Sequence, residues 1–65
     1  MKYKIEIWRY RSIVETYESE EITEILEWYK SKWHCVYEMC ECTFYIYENG
    51  KEMKFEEVYK YGFYD

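Results

Sequence analysis

The sequence predicts an α+β domain: an antiparallel sheet in the order ββαββ, with one helix packed on one of its faces and a short C-terminal helical turn. Three observations predict it. Apolar residues alternate with period two over residues 2–10 and again over 13–17, they recur at three-and-four spacing over 20–32, and Asn49-Gly50 separates two strand-like runs. Period two marks a half-buried strand, and the three-and-four spacing marks an amphipathic helix.

Over residues 2–10 the alternation sets Tyr3, Ile5 and Ile7 on one face and Lys4, Glu6, Trp8 and Tyr10 on the other. Residues 9–12 lack it, and Ile13-Val14-Glu15-Thr16-Tyr17 resumes with β-branched side chains, so a first hairpin turns near Arg11. One long bent strand fits the same pattern, because this turn contains no glycine. Ser19 is placed to cap a helix over 20–32. Ile22, Ile25, Leu26, Tyr29 and Trp33 share its apolar stripe. Glu20, Glu21 and Glu24 lie near the positive N-terminal end, and Lys30 and Lys32 near the negative C-terminal end.

Asn49-Gly50 tolerates the positive φ angles of a type I′ turn. That turn sets a register in which Glu48 faces Lys51, Tyr47 faces Glu52, Ile46 faces Met53, Tyr45 faces Lys54 and Phe44 faces Phe55. Cys40, Cys42, Phe44, Ile46, Met53 and Phe55 then share the core face, and Tyr45 and Tyr47 point the other way. Residues 55–61 read as a short helical turn, with Gly62 in the left-handed position after it and Phe63 folding back as the apolar contact.

Sixty-five residues allow one domain, 1–65. Ten tyrosines, three tryptophans and three phenylalanines make a quarter of the chain aromatic. A chain this short buries only about 60% of the surface its unfolded form exposes, so some rings lie outside. One main helix covers one sheet face, and the open face is expected to carry Trp8, Tyr10, Tyr45 and Tyr47 interleaved with Lys4, Glu6, Glu52 and Lys54. Grouped tyrosine and tryptophan supply stiff contact area with a polar tip, the composition of interface cores. The expectation is a non-catalytic protein-binding module, with another protein or a second copy of the chain, as a homodimer, against this face. The alternative is plain cross-strand pairing that stabilises a solvated sheet.

A net charge of −5 argues against direct nucleic-acid binding, whose affinity comes from Lys and Arg. The run Glu15, Glu18, Glu20, Glu21, Glu24, Glu27 contains no basic residue. Glu20, Glu24 and Glu27 on the solvent stripe of the helix form a second candidate surface, an acidic imitation of a phosphate backbone that would block a nucleic-acid-binding cleft; the alternative is a solvated face. No apolar stretch is long enough for a membrane span. The charged start Met1-Lys2-Tyr3-Lys4 does not read as a signal peptide, so the expected location is the cytoplasm.

His34, Cys35, Cys40 and Cys42 form the only set resembling zinc ligands, but the Cys-x4-Cys-x-Cys spacing differs from the usual paired knuckles. Cys40 and Cys42 already fall on the core face of a strand, where a reduced cysteine behaves as a small hydrophobe. Structural thiols with no metal and no cofactor are expected, and a zinc-stabilised module is the alternative. His34 and Cys35, adjacent on an extended chain, point to opposite faces and make a poor nucleophile–base pair.

The layout Ile5-Glu6-Ile7-Trp8, Ile13-Val14-Glu15-Thr16-Tyr17-Glu18-Ser19, Trp28, Ile46-Tyr47-Glu48-Asn49-Gly50-Lys51-Glu52 and Phe55-Glu56-Glu57 resembles small Tyr/Glu/Lys-rich proteins of phages and prophages of low-GC Gram-positive bacteria. The resemblance spans most of the chain. It implies a compact inhibitor of a host enzyme or of an antiviral defence system, acting in the host cell cytoplasm.

Overall fold

The computed structural model describes residues 1–33 and 41–63. Its elements run β1 (Tyr3–Arg9), β2 (Ser12–Ser19), α1 (Ile22–Lys32), β3 (Cys42–Glu48), β4 (Lys51–Glu52) and α2 (Phe55–Lys60). The expected ββαββ order holds, and the expected C-terminal turn is a six-residue helix. The sheet is antiparallel in spatial order β2-β1-β3-β4, so the chain leaves β2 through α1 and returns beside β1. Strand β1 is therefore central.

Both hairpins form. Tyr10 and Arg11 connect Arg9 to its partner Ser12, and of the two only Tyr10 has positive φ, at 57°. Tyr10 thus sits in the turn, outside the strand alternation, where the Arg9 guanidinium lies 5.6 Å from its ring centroid. In the second hairpin Asn49 and Gly50 both have positive φ, 52° and 84°, the pattern of a type I′ turn. Asn49 also ties the hairpin to the N-terminus, because its Oδ1 accepts the Lys2 backbone N–H at 2.8 Å.

The core lies between one sheet face and both helices. Tyr3, Ile5 and Ile7 of β1 and Ile46 of β3 meet Ile25 and Tyr29 of α1, with Met53, Val58 of α2 and Phe63 closing the cluster. Phe63 is 1% exposed, and its ring lies 5.2 Å from Tyr29 and 6.3 Å from Phe44. Gly62 has φ 94° and donates its N–H to the Tyr59 carbonyl, which reverses the chain after α2 and returns Phe63 to the core. The helix stripe is as expected: Ile22, Leu26 and Trp33 are half-buried around Ile25 and Tyr29. Trp28 stacks on Tyr17 of β2 at 5.3 Å, and Lys32 reaches Glu15 at 2.6 Å.

Two boundaries differ from the sequence reading. Helix α1 starts at Ile22, with Glu21 as its cap residue, and Ser19 ends β2 opposite Tyr3. Pairing with β1 holds the chain extended past the expected cap, and the Ser19 Oγ instead accepts the Glu21 N–H in a local turn. Strand β4 stops at Glu52, so Glu48 faces Lys51 and Tyr47 faces Glu52, but Tyr45 does not face Lys54 and Phe44 does not face Phe55. Met53 still donates its N–H to the Ile46 carbonyl. Lys54 then becomes the cap residue of α2, and Phe55 opens that helix 60% exposed, stacked on Tyr59. The helix places Val58 in the core, and the turn after it returns Phe63 there.

Phe63→Ala is expected to cost about 3 kcal/mol or more, within the usual range for a buried ring, and Phe55→Ala about 0.5 kcal/mol or less. Urea unfolding of the two variants checks the order; equal losses would contradict this core.

Candidate protein-binding face

With α1 and α2 on one side, neither of these helices covers the other sheet face. Its positions follow from register: Lys4, Glu6 and Trp8 on β1, Glu18, Thr16 and Ile13 on β2, Tyr47, Tyr45 and Thr43 on β3, and Glu52 on β4. Ile13 belongs here because Val14 is an extra residue in β2, the pairing passing from Ile7–Glu15 to Trp8–Ile13. A bulge of this kind moves later side chains to the opposite face. Strict alternation had left Ile13 with Glu15; the bulge sets it, 46% exposed, opposite Trp8.

Glu6 organises the face. It is 8% exposed, the one charged residue buried among those described. The Trp8 indole Nε1–H donates to its Oε1 at 3.0 Å, and the Lys4 Nζ lies 3.1 Å from its Oε2. The Tyr47 side chain stands beside the same carboxylate. Burial alone would push this carboxyl up. The donors around it, Trp8 and Lys4 first and then the neighbouring Tyr47, with the Lys4 charge, outweigh that and hold it below its ordinary value. Burial and the neighbouring Glu6 push the Tyr47 phenol up in turn. Nothing in the alternation pattern distinguishes Glu6 from the solvated Glu18 beside it; the donors on either side, Lys4 and Trp8, are the available signal.

Three of the four expected contact residues come together. Trp8 and Tyr45 meet edge to face, with centroids 6.3 Å apart and planes at 89°. Trp8, Tyr45, Tyr47 and Glu52 line one open concavity of about 320 Å³. Tyr10 stays in its turn, 76% exposed. Beside this concavity a second groove of about 360 Å³ runs past Lys2, Lys4, Glu6, Glu18, Tyr47 and Asn49. Lys2 closes it with a 2.8 Å ion pair to Glu18.

The second candidate surface is changed in one respect. Glu20, Glu24 and Glu27 are all exposed, but Glu20 precedes α1, so only Glu24 and Glu27 stand on the helix. Of the zinc-like set, His34, Cys35 and Cys40 lie outside the described residues, and Cys42 is half-buried against the core. Among the described residues no three His, Cys, Asp or Glu side chains are grouped to hold a metal ion. No helix among them is long and apolar enough to cross a membrane.

Comparison with known proteins returns no matching family model, no matching curated protein and no matching solved structure.

Glu6→Gln is expected to cost about 1–3 kcal/mol at neutral pH, the range for losing hydrogen bonds to a charged group. Because the folded-state pKa of Glu6 is depressed, its contribution is complete above the unfolded value, about 4.3, and disappears as pH falls through the lower folded value. The stability gap between wild type and Glu6→Gln should therefore narrow below about pH 4.3. Denaturant titrations from pH 7 to pH 2.5 read this, and a gap that widens on acidification would refute the assignment.

Proposed function

We propose that this protein is a non-catalytic binding module that blocks or modulates another protein through the open sheet face, in the manner of a phage-type inhibitor of a host enzyme or antiviral defence protein. The observation that carries the reading is the grouping of Trp8, Tyr45 and Tyr47 on the sheet face that neither α1 nor α2 covers. Interface cores are enriched in these residues and depleted in charge. Among the charges on this face, Glu6 is buried and engaged by Trp8 and Lys4, so a partner need not desolvate it again. Its bond to the Trp8 indole also holds that ring in place, which lowers the ordering cost of association.

A standard interface takes about 800 Å² from each partner, roughly one-sixth of this chain's 4803 Å² surface. A second copy of the chain and a different protein docking on the same rings would compete for them. The acidic-mimic reading rests on Glu20, Glu24 and Glu27, all exposed and outside the three ion pairs found among the described residues.

Trp8→Ala or Tyr47→Ala is expected to weaken the partner complex at least tenfold, about 1.4 kcal/mol. The triple change of Glu20, Glu24 and Glu27 to Gln should cost less, because exposed charges contribute little. Calorimetry on variants shown to be folded by circular dichroism decides; a larger loss from the glutamate variant, steepening at low ionic strength, gives the mimic reading the advantage. Light scattering at about 100 μM, well above a micromolar dissociation constant, is expected to show wild-type dimers and a monomeric Trp8→Glu/Tyr45→Glu double variant. A wild type that stays monomeric there eliminates self-pairing.

A further inference from the structure

We propose that the concavity between Trp8, Tyr45, Tyr47 and Glu52 is a binding site for an arginine side chain presented by the partner protein. This rests on the reading of the open face as the contact surface and specifies what that surface recognises.

Charge selects a cation. The chain carries a net −5, and the lysines at this face are already engaged, Lys4 with Glu6 at 3.1 Å and Lys2 with Glu18 at 2.8 Å. Glu52 is exposed and takes part in none of the ion pairs found among the described residues. Register puts it directly opposite Tyr47, at the rim of the three rings. A carboxylate without a cation, set against aromatic walls, is complementary to a positive group and repels a negative one.

Ring geometry selects a planar cation. Trp8 and Tyr45 stand at 89° to each other, so the concavity has two walls of different orientation. The Trp8 indole is fixed by its 3.0 Å hydrogen bond to Glu6, and Tyr47 stands beside the same carboxylate. A guanidinium stacks on an aromatic face, is more weakly hydrated than an ammonium, and presents a fork of N–H donors that matches a carboxylate. The site is thus a pre-ordered pair of contacts: ring surface for the plane of the guanidinium, and Glu52 for its N–H edge. At about 320 Å³ and open on one side, it admits a side chain from a folded partner.

The probe is the peptide acetyl-Gly-Arg-Gly-amide, titrated into the full ¹⁵N-labelled chain at a concentration where light scattering gives the monomer mass. Saturable NMR shifts are expected at the Trp8 indole N–H and at the amides of Tyr45, Tyr47 and Glu52, with a dissociation constant on the order of millimolar. The citrulline peptide, of the same shape without the charge, should bind roughly threefold to tenfold more weakly, as should the arginine peptide to Glu52→Gln, and the lysine peptide should fall between. Equal binding of the arginine and citrulline peptides, shifts centred on Glu24 and Glu27, or no saturable shift by about 20 mM, far above a millimolar constant, would each overturn the site. The peptide result separates from the partner result. If the peptide fails while Trp8→Ala still weakens the partner complex, only the arginine site is lost; if the peptide binds but the partner complex ignores Trp8→Ala and Tyr47→Ala, the open face is not the partner contact.

Discussion

Strand β1 carries the core on one face and a buried carboxylate at the centre of the other. Tyr3, Ile5 and Ile7 turn inward to the core that both helices share, while Glu6 turns outward and is nevertheless covered. Burying a charge is costly unless donors replace the lost water. Here Trp8 and Lys4 do so, and among the described residues no buried side-chain nitrogen or oxygen lacks a partner. The consequence reaches beyond Glu6. The same carboxylate holds the Trp8 indole, against which Tyr45 packs edge to face, so the open face acquires a defined arrangement of rings.

Most of the fold was legible in the sequence because its strongest signals are local. Asn49-Gly50 set the second hairpin, the Ile22-to-Trp33 stripe set α1, and Gly62 with Phe63 set the closing contact. The errors arose where two local signals competed for the same residues. Ser19 is a good helix cap, yet pairing with Tyr3 keeps it in β2. Phe55 was assigned both to a strand facing Phe44 and to the start of a helix, and the burial of Val58 and Phe63 decides for the helix. The candidate face was legible in outline, since period two separates Trp8, Tyr45 and Tyr47 from the core. Its working parts were not. The bulge at Val14 leaves no turn residue or glycine to announce it, and the burial of Glu6 depends on side chains brought in from β3.

Aromatic residues divide by position into distinct roles. Tyr29, Phe44, Trp33 and Phe63 form one continuous packed cluster between sheet and helices. Tyr17 and Trp28 stack face to face, with planes 5° apart, and join β2 to α1; Lys32 adds to the same junction, 5.2 Å from the Trp28 ring and bonded to Glu15. Those contacts account for the rings of β2, β3 and α1 on the helix side by packing alone, while Phe55, Tyr59 and Tyr61 stay exposed on and after α2. On the open face, which neither α1 nor α2 covers, Trp8 contacts Tyr45 and Glu6.

The exposed edge of the sheet is built against strand addition. Strand β2 is the outer strand on its side, and an eight-residue edge strand is ordinarily an invitation to pair with another chain. Two features discourage it. The extra residue at Val14 breaks the regular ladder and increases the local twist, and Glu15 and Glu18 place charge along the strand, each anchored by a lysine, Lys32 and Lys2. The same bulge that spoils the edge delivers Ile13 to the open face beside Trp8. One local irregularity therefore lowers the propensity for strand addition and sets an aliphatic side chain beside the Trp8 ring on the open face.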